Sequence, residues 1–190
     1  MSYLFDCYAG VYDHFMKIFH LQDTTELLQL LPASPKRILD VGGGTGFCAN
    51  QLYQLGYDVV NLDASAAMLK QAKKRNPNLT LIQSKFEKDL PIGKFDIILC
   101  RDCLHHLQDP QDVLSTMLSY LKPDGIIYIH DFHPSYWQVK LLFLFERCCF
   151  EHIRPISVGK LTYIASQIGC TCTLEVNHRR DYLCSIQRNT

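Results

Sequence analysis

Ile38-Leu39-Asp40-Val41-Gly42-Gly43-Gly44-Thr45-Gly46 is an apolar run that carries one acid and breaks into glycines. A ligand bearing ribose and a base approaches the backbone closely only where Cβ atoms are absent, and glycine also reaches the positive φ of a tight strand-to-helix turn. Phe47 to Leu52 follows with helical propensity and no breaker before Gly56. The layout is therefore strand, glycine turn, helix, and it reads as the floor of a nucleotide site. Spacing then separates the ligands. A dinucleotide fingerprint needs a glycine where Phe47 stands, which disfavours a nicotinamide oxidoreductase. A phosphate-cradling loop needs Gly-Lys-Ser/Thr, and none follows. The acid ahead of the first glycine suits a ligand with a positive group better than a pyrophosphate.

Upstream of this stretch, Tyr8, Val11, Tyr12, Phe15, Ile18 and Phe19 recur at helical spacing, and Asp23 is placed to cap a second helix through Leu27, Leu28 and Leu31. Pro32 and Pro35 stop it before a strand, Arg37 to Val41. Downstream, Asp58 to Leu62 reads as a buried strand ending on Asp63, about twenty residues past the glycines, where a carboxylate can accept both ribose hydroxyls. Ser65 is expected to cap a helix carrying Met68, Leu69 and Ala72, closed by Asn76-Pro77. Leu79 to Gln83 and Phe95 to Cys100 predict two more strands, and Asp109-Pro110 opens a helix through Val113, Leu114, Met117, Leu118 and Leu121. Lys122-Pro123-Asp124-Gly125 predicts a turn into a strand, Ile126 to His130. After the aromatic and apolar stretch Phe132 to Pro155 come a helix stopped by Gly169 and two strands, Thr171 to Val176 and Tyr182 to Gln187. Alternation of short apolar strands with amphipathic helices predicts an α/β fold. The expected form is a doubly wound, Rossmann-like, seven-stranded, mostly parallel sheet, with helices on both faces and the last strand antiparallel. Ligands in such sheets bind beyond the carboxyl ends of the strands, where Asp40, Asp63, Phe86, Arg101 and Asp131 fall.

The 190 residues suit one domain. Its expected parts are an N-terminal helical cap (1–36), a cofactor-binding core (37–131), an acceptor-pocket insertion (132–156) and a C-terminal helix with a strand hairpin (157–190). Lysine and arginine match aspartate and glutamate at 19 each, so the formal charge is zero and there is no broad footprint for nucleic acid. The basic cluster Lys70, Lys73, Lys74 and Arg75 reads as charge complementing a helix C-terminus. Nine cysteines, odd in number and unevenly spaced, predict a reduced cytoplasmic protein. The most apolar run, Val139 to Phe145, contains Lys140 and is too short to span a membrane. A monomer and a homodimer both remain open.

Four anchors in this order resemble the class I S-adenosylmethionine-dependent methyltransferases, in particular the small-molecule branch that includes the quinone-type enzymes. They are Ile38 to Gly46, Asp63-Ala64-Ser65-Ala66-Ala67-Met68-Leu69, Leu104-His105-His106-Leu107-Gln108-Asp109-Pro110, and Leu121-Lys122-Pro123-Asp124-Gly125. The resemblance implies S-adenosyl-L-methionine as cofactor, S-adenosyl-L-homocysteine as product, and a small aromatic or apolar acceptor methylated on oxygen, nitrogen or carbon. By position it implies that Gly42, Gly43 and Gly44 face methionine and ribose, with Asp40 holding the turn or the ammonium group. It further implies that Asp63 binds the ribose hydroxyls with Ala64 among the cofactor-binding residues, Met68 and the Phe86 backbone border the adenine, and Arg101 lies near the methionine end through its main chain. Tyr12 resembles the lid tyrosine of a Tyr-Asp motif. Members usually carry Gly-Asp after the third strand, whereas Ser84-Lys85 stand here. Lysine only donates, so Glu87 becomes the candidate acceptor for the adenine amino group.

A base is needed only if the acceptor is protonated, and His105, His106 and His133 are the candidates. Each also reads as a packing histidine. Tyr136 and Trp137 are placed to stack on an aromatic acceptor, or simply to pack. Asp102-Cys103-Leu104-His105 stands where enzymes methylating base amino groups carry Asn-Pro-Pro-Tyr, which argues against a DNA base. No metal site is expected, because Cys100 and Cys103 have CxxC spacing but no second pair. Two alternatives stay open: a cofactor-binding module without catalysis, and a metalloid methyltransferase using Cys103 with Cys148-Cys149 or Cys170 and Cys172.

Overall fold

The computed structural model describes residues 9–10, 12–18, 23–33, 36–107, 109–137, 139–140, 143–144 and 153–189. Tyr8, Val11, Phe19, Pro35, Gln108, Cys148, Cys149 and part of the expected insertion 132–156 lie outside them. The described chain forms α1 (Tyr12–Ile18), α2 (Thr25–Leu30), β1 (Arg37–Val41), α3 (Phe47–Gln54), β2 (Asp58–Asp63), α4 (Ala66–Arg75) and β3 (Thr80–Gln83). It continues with β4 (Phe95–Arg101), a 3-10 turn (Leu104–His106), α5 (Pro110–Tyr120), β5 (Leu121–Phe132), α6 (Val158–Gln167), β6 (Cys170–Asn177) and β7 (Asp181–Arg188). The strand order is β3-β2-β1-β4-β5-β7-β6. β7 runs antiparallel to both its neighbours, as expected of the last strand. The α/β, mostly parallel Rossmann-like sheet is therefore the one read from the sequence.

Two compact units divide the chain, Met1–Phe86 and Glu87–Thr190. In the first, β1 pairs in parallel with β2, and β2 with β3. Ile38, Leu39, Leu52, Leu62, Met68 and Ala72 are buried there, the continuous apolar character that strands covered by helices require. A side-chain cap fixes the start of one helix here, and an acid precedes the other. Ser65 Oγ accepts from the Met68 N–H at 3.1 Å and starts α4 as predicted. At α2, Asp23 Oδ1 accepts from the Thr25 N–H at 2.9 Å, while the cap position itself belongs to Thr24.

In the second unit, Asp109 caps α5 through the N–H groups of Gln111 and Asp112, with Pro110 in the first helical position. Arg188 reaches back to the Leu118 and Lys122 carbonyls, both at 2.7 Å, and satisfies groups left open where α5 ends. One expectation is corrected. Leu121 is not the end of the helix but the first residue of β5, which runs on to Phe132. Phe95 pairs with Leu121 and Ile97 with Ile126, so Lys122-Pro123-Asp124-Gly125 is an irregularity inside the strand pairing. Proline, which cannot donate to a ladder, is tolerated at such a bulge. No helix among the described residues is long and apolar enough to cross a membrane.

Candidate functional site

In the first unit the glycine turn is packed from below and open above. β1 delivers Asp40, 1% exposed, to the underside. A Cβ added to Gly43 would lie 2.3 Å from Asn61 Oδ1 and 2.7 Å from Asp40 Oδ2, so no larger residue fits there. Gly44 has φ of 54°, and a Cβ there would meet nothing nearer than the Gly42 carbonyl at 3.9 Å. Among the described residues Gly44 therefore has room beside it for a closely approaching ligand. Gly42 and Gly46 also have positive φ.

Asp63 joins this turn to the next helix. Its Oδ2 accepts from the Gly44 N–H at 2.9 Å and its Oδ1 from the Ser65 N–H at 2.8 Å. A carboxylate offers about four acceptor sites, enough for both amides and two hydroxyls of a ligand. Met68 is buried at the start of α4, while Ala64, Phe86 and Tyr12 are half-buried. Lys85 is exposed. The fully buried Asn61 amide, beneath Gly43, makes no hydrogen bond among the described residues.

Sequence reasoning missed how α1 is held. Asp13, beside Tyr12, accepts from Thr45 Oγ1 at 2.6 Å and pairs with Arg75 Nη2. Arg75 Nε donates to the Thr45 carbonyl at 3.1 Å, and its guanidinium lies 5.4 Å from the Phe47 ring centroid. The helix carrying Tyr12 is thus tied to the glycine turn. Arg75 does more than complement a helix dipole, and only the Tyr-Asp pair hinted at it.

In the second unit, β4 ends at Arg101, whose Nε lies 3.4 Å from Asp102 Oδ2. Asp102 has φ of 49°, a conformation that costs a non-glycine residue. Burial pushes its carboxyl above the usual carboxylate range, against the pull of Arg101. The 3-10 turn then presents His105 to Asp131 of β5. His105 Nδ1 is 2.6 Å from Asp131 Oδ1, and the His105 N–H donates to Oδ2 at 3.1 Å. The Phe132 N–H adds a bond to Oδ1 at 2.8 Å. Burial resists ionisation of Asp131, but His105 beside it and these bonds outweigh it and hold the pKa below the usual value. With Asp131 ionised, the proton resides on His105 Nδ1.

The His106 ring lies beside that of His105, with centroids 4.2 Å apart and planes tilted by 43°. Burial first, then the neighbouring imidazole, push its pKa down to about 3, so it stays neutral. His133 is engaged elsewhere: its Nε2 lies 2.6 Å from Asn177 Oδ1 and its ring packs on Tyr182. Of the three candidate histidines, His105 and His106 are brought together and His133 is not in contact with either ring. Trp137 is 61% exposed, its ring 6.5 Å from that of Tyr136. Cys100 is buried in β4 and Cys103 half-buried, and among the described residues no group of three or more His, Cys, Asp or Glu could hold a metal ion.

A family profile described as "Methyltransferase domain" matches residues 12–175. The chain belongs to the methyltransferase-domain family. It is 32% identical over 141 residues to the demethylmenaquinone methyltransferase of Renibacterium salmoninarum, covering 70% of this chain and 59% of that protein. It is 29% identical over 162 residues to the mitochondrial ubiquinone biosynthesis O-methyltransferase of Schizosaccharomyces pombe, covering 77% and 58%. The match thus spans less than two thirds of these relatives' length. Among solved structures, a DhpI-SAM-HEP complex superimposes with a TM-score of 0.77 at 18% identity, covering 96% of this chain and 94% of the other. Magnesium protoporphyrin IX methyltransferase from Synechocystis, with bound SAH, gives 0.66 at 17% identity, covering 93% and 83%. At such identities the likeness is one of fold.

Proposed function

We propose that this methyltransferase-domain chain moves a methyl group from S-adenosylmethionine to a small aromatic or apolar acceptor, releasing S-adenosylhomocysteine. The observation that carries the reading is the Asp63 carboxylate bonded to the N–H of Gly44, where an added Cβ would meet nothing nearer than the Gly42 carbonyl at 3.9 Å among the described residues. That arrangement sets an acceptor of ribose hydroxyls next to backbone that a nucleoside can touch. Asp40 and Asn61 support the turn from beneath, and Met68 and Phe86 border the base. Tyr12, on the helix tied down by Asp13, covers the cofactor. Lys85 is exposed and can only donate, so it does not accept from the adenine amino group.

When bound, the cofactor supplies an activated methyl on its sulfonium, which leaves positioning and exclusion of water to the protein. Orientation alone lowers such barriers by roughly 7 to 11 kcal/mol. Where the acceptor is a hydroxyl, His105 takes its proton at Nε2, held in the required tautomer by Asp131. Among the three histidines it is favoured because a pKa near 3 makes His106 a weak base and His133 is bonded to Asn177. Tyr136 and Trp137, the first aromatic residues after β5, line the acceptor side. The relatives named for quinone substrates favour phenolic and quinol acceptors.

The test is transfer of a labelled methyl from S-adenosylmethionine to a panel of phenols, quinols and aromatic amines. Label is expected on an aromatic hydroxyl, and Asp131→Asn should lower kcat about 10²-fold while leaving cofactor affinity within twofold. Tight cofactor binding with no transfer to any acceptor would replace this reading with a non-catalytic module.

A further inference from the structure

His105 sits among rings. Its centroid lies 5.8 Å from that of Phe132 and 5.2 Å from that of Phe143, while Phe132 and Phe143 meet edge to face at 6.3 Å and 76°. His106 covers another side. The histidine is only 1% exposed, and Phe132 and Phe143 are each 5% exposed. A base must come within hydrogen-bond reach of the proton it takes. No acceptor hydroxyl can approach His105 in this arrangement, so one of its covers has to withdraw.

The covers differ in what holds them. His105 itself is fixed through three groups: its N–H and Nδ1 on Asp131, and its carbonyl, which accepts from the Arg154 N–H at 2.8 Å. The His106 N–H donates to the Cys103 carbonyl at 2.9 Å within the 3-10 turn. Phe132 ends β5 opposite Asp181 of β7, and its N–H is bonded to Asp131. Moving any of these breaks the sheet or the turn. Phe143 lies past the end of β5, outside the sheet, and its ring packs on those of His105 and Phe132. Leu144 beside it is 60% exposed, so the chain here runs along the surface and a withdrawn ring has solvent to swing into.

We propose that Phe143 is the gate of the acceptor pocket: its ring occupies the place that the acceptor's single aromatic ring takes, and it withdraws when the acceptor binds. This rests on the methyl-transfer reading with His105 as base. A phenyl-sized acceptor ring in that place meets Phe132 edge to face, a geometry that aromatic pairs favour, and carries its hydroxyl to the His105 imidazole. A charged ring of the same size would lose its hydration against these apolar walls, so the place suits an uncharged monocyclic phenol or quinol. Because the closed form cannot bind, the acceptor's apparent affinity is reduced by the fraction of molecules in which Phe143 stands open.

The experiment makes two measurements on the full chain. Diethyl pyrocarbonate labels accessible imidazoles, and fragment mass spectrometry separates His105 from His106, the internal reference, since general loosening would expose both. Phe143→Ala should raise labelling of His105 relative to His106 at least tenfold. Phe143→Leu, the milder change that carries both measurements if the alanine variant folds poorly, should raise it at least threefold. Leu144→Ala, at the exposed neighbour, should leave the ratio within twofold. In methyl transfer to catechol, Phe143→Ala should lower the catechol KM at least fivefold, whereas removing a side chain that merely packs would raise it. A labelling ratio within twofold of the parent in both Phe143 variants overturns the gate, as does a catechol KM that rises. A ratio that rises while neither parent nor variant methylates any phenol refutes the methyl-transfer reading instead, and the place assigned to the acceptor ring falls with it.

Discussion

Replacing Asp63 by alanine removes two bonds between a charged acceptor and backbone amides, to Gly44 at 2.9 Å and to Ser65 at 2.8 Å. It also removes the carboxylate proposed to take the ribose hydroxyls. Hydrogen bonds to charged groups contribute about 1.5 to 3 kcal/mol each. Losing two on the ligand therefore costs roughly 3 kcal/mol at the lower bound, about a hundredfold in affinity. The amides themselves are only part-buried, so water replaces part of what they lose, and destabilisation of the fold should stay near 1 to 2 kcal/mol. Calorimetric titration with S-adenosylhomocysteine reads the first quantity and urea unfolding the second. An affinity within twofold of the parent, in a variant shown to be folded, would refute the placement of the ribose and with it the role given to the glycine turn.

Other perturbations follow from the same geometry. Gly43→Ala would drive a methyl to 2.3 Å from Asn61 Oδ1 and should cost roughly 1 to 3 kcal/mol in urea unfolding, with part restored by adding Asn61→Ala; unchanged stability would show that the turn yields. Arg75→Gln breaks the tie to Asp13 and Thr45, so the cofactor KM should rise several-fold while stability changes by less than about 1 kcal/mol; an unaltered KM would make the tie irrelevant to binding. His106 has its pKa lowered by folding, from 6.5 to about 3, so the unfolded chain takes the proton first and stability falls as pH drops through 6.5. From pH 7 to pH 5 this contributes about 2 kcal/mol of loss, read as a Tm drop of roughly 4 to 8 °C that His106→Asn should largely abolish. An identical drop in that variant would assign it to other groups.

The fold was legible where one local rule acted alone. Ser65 and Asp109 announced their helices because each has a cap oxygen placed before an apolar helical pattern. The glycine spacing at 42, 44 and 46 marked residues that do adopt positive φ. Lys122 to Gly125 misled because a turn signature does not tell whether the chain leaves the ladder or bulges within it. In the candidate site, Asp40, Asp63 and the glycines were legible as a group, since a strand end delivers each of them. The Asp131–His105 pair spans 26 residues and the Asp13–Arg75 pair 62, and no local pattern encodes which partner a distant side chain meets. Arg75 looked like one of four cations in a helix terminus until its neighbours were known.

Everything proposed for this chain requires that the glycine turn and Asp63 receive S-adenosylmethionine. Calorimetric titration of the unaltered chain with S-adenosylhomocysteine and, separately, with NAD tests it most directly. A micromolar Kd for S-adenosylhomocysteine with no heat from NAD is predicted, and micromolar binding of NAD with no response to S-adenosylhomocysteine would contradict it.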